Sequence, residues 1–465
     1  MKLQEIFENE QIGVNDKIKL LYDTSRVSSD NYATYIRYYN GKHDILTRSQ
    51  IHRKTGKKIE LNNLVFNLCK KIVDTTAFFM FSNPPKLVLH NQEYEDEFEI
   101  FKKSWRDAKV DSFNIELAKT LFSETVAGEL IYAPSNKSNG SIRYHLLKMT
   151  QGEFAPHFDD YGDMDGFWRK YKLDKLIDGK IKEVQFLDVY YQVNDQVIWK
   201  RYTLQHGGNY LEEPIDNAFS QNKIPVVYYN IKEPLFWKIK TLQDRFNLVK
   251  SNNADTNDYF ADPKLKLFGD IVRDQNNEIG IRKKQTGEVI HLASYVSATG
   301  QEVKSDAEYL TWNAIPESVK FEIEDLFNKI MYLTDTPNIS FDNLKGINSP
   351  SGIAIELMFL QTILAVKSYE SDFFHLQRRI NIHKDMLATL EANPRIRELD
   401  ITAEFQSPLP INILEEIQSL SQAYNSGIMS QETAVANNPY VSNSVEEMDN
   451  INNNAESFDL PNEVL

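Results

Sequence analysis

The chain is poor in the patterns that mark a catalyst. Its 465 residues include a single cysteine, Cys69, which excludes an intramolecular disulfide framework and fits a reducing compartment. No Gly-x-x-x-x-Gly-Lys-Ser/Thr loop, Gly-x-Gly-x-x-Gly turn or Gly-x-Ser-x-Gly elbow occurs. NTP hydrolysis, dinucleotide chemistry and α/β-hydrolase chemistry therefore lack their usual frames. None of the nine histidines forms a His-Glu-x-x-His or other tight metal-ligand spacing, so no metal site and no cofactor is expected. Long apolar runs are missing as well. The most apolar stretch, residues 64–81, is interrupted by Lys70, Lys71 and Asp74, too short and too charged to span a membrane. The opening MKLQEIFENE is charged and has no apolar core of the kind a secretory signal needs.

Basic residues are absent from the last part of the chain. Residues 398–465 hold 12 acids and no Lys or Arg, whereas the preceding 397 residues carry 55 acids against 52 bases. The net charge of −15 is thus concentrated in a segment that is either a solvated tail or a surface repelling nucleic acid. What remains is ordinary for a globular protein: 41% hydrophobic and 26% charged residues, with 26 Phe and 23 Tyr available for cores or interfaces. The length allows two to four domains.

The order of elements is more informative than any single residue. Residues 1–60 read as short helices with a polar linker. One of these is capped by Asp30 or Asn31 and stops at Asn40-Gly41, and the basic stretch 52–58 reads as a loop. Residues 62–81 read as an apolar helix broken by Asn83-Pro84-Pro85, and 95–130 as one or two amphipathic helices. From Leu130 to Tyr229 the apolar period changes to two, with Asp178-Gly179 and Asn194-Asp195 as turn signals. This predicts an antiparallel sheet of hairpins closed by residues 224–229.

Two seams follow. Leu235, Ile239, Leu242, Phe246 and Val249 are spaced 4-3-4-3, and so are Val319, Ile323, Leu326, Ile330 and Leu333. Such narrow stripes predict two helices lying side by side. The excursion between them, about 263–313, reads as short strands at 265–271, 280–284 and 288–292 with turns at Asn276-Asn277 and Gly287; its seven bases balance seven acids. A very long helix is expected from Ser349-Pro350 to Asn393-Pro394, spanning on the order of 60 Å. A strand at 399–405 and helices at 411–425, 430–436 and 444–450 precede a loose polar tail from Asn452. The fold class is α+β: an elongated, mainly helical protomer with an antiparallel sheet and a small β-rich excursion, one stave of a ring.

Three segments invite a chemical reading. Asp159, Asp160, Asp163 and Asp165 resemble a metal loop. Aligned as an EF-hand on Gly166, however, its first and twelfth positions are Tyr161 and Lys172 instead of carboxylates. A metal-dependent nuclease built on this cluster, or a monomeric scaffold protein, is the alternative reading; an Asp-rich hairpin turn is the simpler one. Glu322, Glu324 and Asp325 lie on a seam helix, as solvated or channel-facing charge. The loop TPNISFDNLKGINS, residues 336–349, is polar with one base, Lys345, and a glycine, Gly346. A loop of that length between packed helices is usually functional.

The chain resembles the portal proteins of tailed bacteriophages, the long-tailed siphovirus-type family. Tyr38-Tyr39-Asn40-Gly41-Lys42-His43-Asp44-Ile45-Leu46 is similar to the family's N-terminal Tyr-Tyr-x-Gly-x-His-x-Ile-Leu signature. Asn67, Ile72-Val73-Asp74-Thr75 and Ser82-Asn83-Pro84 resemble its apolar helix, with Ser82-Asn83 where a Gly-Lys pair is common. Asp258-Tyr259-Phe260-Ala261-Asp262 resembles the end of its first stem helix, Ser351-Gly352-Ile353-Ala354 the start of its long helix, and Ile428-Met429-Ser430-Gln431-Glu432-Thr433-Ala434 its late segment.

The resemblance implies a non-enzymatic ring, typically of twelve subunits, at one capsid vertex of the virion, assembled in the host bacterial cytoplasm. Double-stranded DNA would pass through it during packaging and ejection, bound weakly and without sequence specificity. The implied parts are a wing (1–232), a first stem helix (233–262), a clip (263–313), a second stem helix (314–335), a tunnel loop (336–349), the long helix and returning wing strand (350–410), and an acidic crown with its tail (411–465). Leu242, Phe246, Val249, Ile323, Leu326 and Ile330 would pack the stem between subunits. Asn338, Ser340, Asn343, Lys345 and Gly346 would line the channel. Arg273, Arg282, Lys283 and Lys284 of the clip would meet the large terminase subunit and then a head-completion adaptor. Major capsid and scaffolding proteins are the remaining implied partners. ATP hydrolysis would belong to terminase.

Overall fold

Alternating hydrophobic pattern and turn residues build two sheets in the first half of the chain, and helices cover them. The structure is a computed structural model. It describes residues 2–458 apart from 26–30, 52–55, 135–140, 178, 195, 206, 215–222, 262–264, the links between the strands of 265–309, 310–315, 339–351, 374, 408–412 and 442–443. In chain order come α1 (Leu3–Phe7), α2 (Val14–Thr24), α3 (Tyr32–Tyr39), β1 (Gln50–Ile51), β2 (Lys58–Ile59), α4 (Leu68–Phe81), β3 (Lys86–Leu89), α5 (Glu95–Asp107) and α6 (Val110–Glu124). Then follow β4 (Val126–Tyr132), β5 (Arg143–Leu147), β6 (Gly152–Phe158), β7 (Met164–Ile177), β8 (Lys180–Val193), β9 (Gln196–Leu204), β10 (Tyr210–Glu213) and β11 (Val226–Asn230).

β6 to β10 form a five-stranded antiparallel meander, and β11-β4-β5 a separate three-stranded sheet. Residues 224–229 were expected to close one sheet, but β11 instead pairs with β4, Val226 opposite Leu130. Gly179 and Asn194 take positive φ at two hairpin ends, as the turn signals required. One face of the meander (Trp168, Leu187, Val189, Tyr191, Tyr202) is covered by Leu3, Ile6, Phe7, Ile18 and Leu21 of α1 and α2. The other face (Phe154, Phe167, Tyr190) meets Val126, Leu130 and Leu147 of the second sheet. The basic stretch 52–58, expected to be a loop, enters strand β2 at Lys58, which pairs with Ile51.

Two helix limits differ from expectation, and one expected cap bond is missing. The helix foreseen over 62–81 begins at Leu68, because Asn67 caps it, its side chain accepting from the Lys70 N–H at 3.1 Å. The helical reading of 95–130 stops at Glu124, where Thr125 takes φ 70 and the chain turns into β4. At the N-terminus of α3, Asn31 occupies the cap position without a side-chain cap bond. Gly41, at φ 75, closes that helix with Lys42 N–H to Arg37 O and Gly41 N–H to Tyr38 O, the Schellman pattern that needs a left-handed residue.

The second half opens with α7 (Lys240–Ala261). Strands β12 (Leu265–Phe268), β13 (Asp270–Ile271), β14 (Arg282–Lys284), β15 (Gly287–Val289), β16 (Leu292–Ala293), β17 (Tyr295–Val296), β18 (Glu302–Val303) and β19 (Asp306–Tyr309) form the excursion. They pair β12 with β19, β13 with β16, β14 with β15 and β17 with β18. Gly287, read as a turn, is the first residue of β15 and pairs with Lys284, the last of β14. The Asn276-Asn277 turn lies outside the described residues. Next come α8 (Pro316–Leu333), α9 (Gly352–Tyr369), α10 (Leu376–Leu390), β20 (Ile401–Glu404), α11 (Ile413–Asn425), α12 (Gln431–Ala436) and α13 (Ser444–Phe458).

The single long helix expected up to residue 393 is therefore two helices. A 3-10 turn at Glu370–Phe373 separates them, although no Pro or Gly lies there to signal it. The break buries Phe373 completely, with ring centroids 5.2, 5.9 and 5.6 Å from Phe81, Phe122 and Tyr229. Tertiary packing sets this break. The tail expected to loosen from Asn452 is helical to Phe458, since no breaker occurs before Pro461. β20 returns to pair with β3, Ile401 opposite Leu89.

A buried charge cluster joins α10 to the second sheet. Arg379 and Glu129 are both fully buried. The guanidinium donates through Nε to Glu129 Oε2 at 2.7 Å, through Nη2 to Oε1, and through Nη1 to Asn114 Oδ1 at 2.5 Å. The bidentate pair plus the amide leaves little unmet polarity, the condition under which a buried ion pair is tolerated.

Candidate functional site

α7 carries two faces at helical spacing, and each does different work. Phe246 and Val249 of the apolar face are buried and Leu242 is half-buried. They lie against α8, where Leu326 and Ile330 are buried and Ile323 half-buried. Phe246 meets Phe327 at 6.4 Å. At the rim, Arg245 pairs with Glu322 at 2.7 Å. Asp325 pairs with Lys329 at 2.7 Å and Glu324 with Lys320 at 3.8 Å, so these carboxylates serve ion pairs along α8.

The second face is polar. Gln243, Asn247, Ser251 and Asp255 recur every four residues, and the first three are fully buried. They receive an extended strap just before α4. Phe66 N–H donates to Asn247 Oδ1 at 3.1 Å, Leu64 N–H to Ser251 Oγ at 3.0 Å, and Asn62 N–H to Asp255 Oδ1 at 2.7 Å. Alternate N–H groups of an extended chain repeat at about 6.6 Å and every fourth helical residue at about 6 Å. The two periods match closely enough for a three-rung ladder. Gln243 adds a bond to the Phe66 carbonyl at 2.8 Å.

The head of α7 is held by residues 38–44. His43 Nδ1 accepts from Asn247 Nδ2 at 2.8 Å, which leaves its Nε2 proton for the Tyr38 carbonyl at 2.9 Å. Burial holds this imidazole below its ordinary pKa, in its neutral form. The Tyr38 hydroxyl lies 2.6 Å from Asp44 Oδ2 and 2.9 Å from Asp244 Oδ1, and Lys240 Nζ bridges the same two carboxylates at 3.2 and 2.7 Å. The Tyr38 hydroxyl, with Arg37 and Lys240, keeps the Asp44 carboxyl well below the usual carboxylate range. Asn67 Nδ2 closes the set on the Tyr39 carbonyl at 2.8 Å.

The loop after α8 has a fixed root. Asp335 takes φ 53, Thr336 N–H bonds Met331 O at 3.0 Å, and Asp335 N–H bonds Tyr332 O at 3.2 Å. This is a Schellman closure with Asp where glycine is usual. α9 pins it: Thr362 Oγ1 donates to the Asp335 carbonyl at 2.6 Å and Gln361 Nε2 to Asp335 Oδ1 at 2.7 Å. Thr336, expected as the first loop residue, is buried in this closure. Asn338 is half-buried just beyond it. Ser340, Asn343, Lys345 and Gly346 lie outside the described residues, as does Arg273. Arg282, Lys283 and Lys284 form β14.

The aspartate cluster is a hairpin turn. Asp159 Oδ1 accepts from the N–H groups of Tyr161 and Asp163 at 2.9 and 3.0 Å. Asp165 accepts from the Leu3 N–H at 2.9 Å and faces His157 Nδ1 at 2.5 Å. Two of its carboxylates are thus committed to the turn and to docking α1. No group of three or more His, Cys, Asp or Glu side chains able to hold a metal occurs among the described residues. Among the same residues, no helix is long and apolar enough to cross a membrane.

The family model of SPP1 Gp6-like phage portal proteins matches residues 19–457. The chain belongs to this portal family. No curated protein matches it. Similar solved structures include a chain from the neck of an empty gene transfer agent particle computed with C6 symmetry, 11% identical, covering 88% of this chain and 93% of that one at a TM-score of 0.45. Another comes from the virion of a native gene transfer agent particle, 10% identical, covering 90% and 97% at 0.43. A third, from the neck of a native particle computed with C12 symmetry, is 10% identical and covers 90% and 96% at 0.42. In this portal protein the residues resembling the family's Tyr-Tyr-x-Gly-x-His signature form the clamp on the head of α7. Sequence reasoning missed the clamp and the strap. The available signal was the polar stripe 243, 247, 251, 255, which repeats every four residues beside the apolar seam.

Proposed function

We propose that this portal protein assembles as a closed ring, expected to be a dodecamer, at one capsid vertex of the virion. Double-stranded DNA passes along the ring axis during packaging and ejection. The family match over residues 19–457 carries this reading. What supports it in the described residues is the packing of α7 against α8, the strand pairs of 265–309 between them, and the Schellman closure that follows α8. The protein acts without catalysis, and the energy of translocation comes from terminase docked on the clip, where Arg273, Arg282, Lys283 and Lys284 lie. A head-completion adaptor takes that place later, and major capsid and scaffolding proteins are the remaining expected partners.

Seam residues Leu242, Phe246, Val249, Ile323, Leu326 and Ile330 were expected to pack between subunits; Phe246, Val249, Leu326 and Ile330 are already buried within one protomer, so their part in ring packing is to fix α7 against α8. The contact surface itself is the outer stripe of α8, where Phe321 is 71% and Tyr332 68% exposed. The channel constriction is the tunnel loop, expected over residues 336–349 of each subunit. Lys345 is its only base, so attraction to each phosphate is small and screened by salt, and the duplex is not held in place. Residues 398–465, with no Lys or Arg, add no phosphate-binding charge. A DNA packaging assay with residues 340–346 deleted tests the reading. Rings should form while packaged or retained DNA falls steeply, whereas Lys345→Ala should change either only modestly. Full packaging and retention with the shortened loop would contradict the channel assignment.

A further inference from the structure

The two wing sheets diverge beyond their shared core and leave a cleft of about 890 Å³. Its floor is apolar, with Leu130, Leu147, Phe154 and Val197. One wall carries an uneven charge arrangement. Arg169, Asp188 and Arg201 stand directly opposite one another on β7, β8 and β9, so all three side chains share the cleft face. Asp188 is fully buried, and it is the carboxylate that both guanidiniums use. Arg169 reaches it through Nε at 3.0 Å and Nη2 at 2.8 Å, and Arg201 through Nε at 2.7 Å and Nη2 at 3.1 Å. The Tyr171 hydroxyl also donates to it at 3.1 Å.

The trio therefore keeps one positive charge in surplus. The two arginines are mostly covered, with side-chain exposures of 14% and 25%. Lys170 and Lys172 alternate to the opposite face of β7, where Glu153 and Glu183 pair with them at 3.4 and 2.7 Å; on the cleft side Lys148 lies 3.9 Å from Glu116 and Lys175 3.8 Å from Glu213. A half-desolvated surplus charge is costly unless an anion or water attends it. The same wall presents the Trp199 indole N–H, buried and without an acceptor among the described residues. Its nitrogen has no exposed area, so it marks unmet polarity beside the cleft, not a donor that a bound molecule reaches. A structural Arg–Asp–Arg triad alone explains neither the open volume beside it nor the unpaired indole.

We propose that this cleft is a binding site for a small amphipathic carboxylate: an anionic head on the Arg169–Arg201 pair and an aromatic or branched body on the apolar floor. The volume lies within the range typical of small-molecule pockets, roughly 300–1,000 Å³, which favours a free molecule over a polypeptide segment.

Calorimetric titration of the purified full-length protein with 2-naphthoate and its neutral isostere 2-naphthamide tests this. The carboxylate should bind roughly 10-fold or more tightly than the amide, as expected of a charge-assisted hydrogen bond over a neutral one. Arg201→Gln should remove the difference, and Val197→Trp, which fills the floor and leaves the charges in place, should abolish binding of both. The ratio between the two ligands on the unaltered protein decides the matter even if a variant fails to fold. Equal affinities, no binding of either up to the solubility limit, or binding indifferent to both substitutions would overturn the proposal. Binding by isolated protomers that is lost in assembled rings would also overturn it, assigning the cleft to a neighbouring subunit.

Discussion

Arg379 shows how much one buried side chain carries in this protein. Its guanidinium satisfies Glu129 and Asn114 at the junction of α10 and the second sheet, with no water-exposed edge. Arg379→Met would leave a carboxylate alone in the core and should cost about 3–5 kcal/mol in urea unfolding. Adding Glu129→Leu should recover most of that loss; a double variant no more stable than the single would contradict the pairing. Next to it, His383 is held by Ser104 and Tyr144 at 2.9 and 2.7 Å, and burial, reinforced by Arg379, pulls its pKa down to about 3. The unfolded chain takes up this proton below pH 6.5 and the folded one does not until near 3. Stability therefore falls as pH drops through that window, by up to about 1.4 kcal/mol per pH unit per proton. His43, His145 and His375 are shifted in the same direction by burial. Below about 3.8 the depressed carboxyl of Asp44 adds to the loss. Replacing His383 by Gln should flatten the slope of unfolding free energy between pH 6.5 and 4; an unchanged slope would place that proton elsewhere.

At the scale of elements, α7 separates what the chain discloses from what it withholds. The apolar seam was legible because its 4-3 spacing depends on helix geometry alone, and Phe246, Val249, Leu326 and Ile330 are buried where that spacing puts them. The polar stripe on the other face was not recognised. Buried Gln, Asn and Ser look like solvated positions until a partner backbone is known, and that partner lies 181 to 193 residues away. The same reason hid the strap itself, read as part of a helix, and the break at Glu370–Phe373, which packing around Phe373 imposes. The Asn40-Gly41 stop was legible because a left-handed C-cap is a local requirement. Asn247→Leu should leave the Phe66 N–H and His43 Nδ1 unpaired and cost about 2–4 kcal/mol, with faster amide exchange at Leu64 and Phe66. Amide protection unchanged in the variant would show that the ladder does not hold the strap.

For the whole molecule, protomer stability and ring assembly should respond to different substitutions. Phe246→Asp puts a charge inside the protomer, between Phe66 and Phe327 at 5.7 and 6.4 Å, and should lower the melting temperature of the isolated chain. Phe321→Asp changes an exposed position and should leave that temperature within a degree or two while shifting the assembly equilibrium toward protomers. Deleting residues 272–290 from the clip should spare wing and stem, measured by unchanged cooperative unfolding, and abolish terminase binding. The most direct measurement is electron microscopy of the purified full-length protein, with light scattering on the same sample. The account predicts closed rings with a central hole, at a mass near twelve chains of 54.0 kDa, dispersed by Phe321→Asp. A monodisperse, folded monomer at every concentration and salt would contradict it.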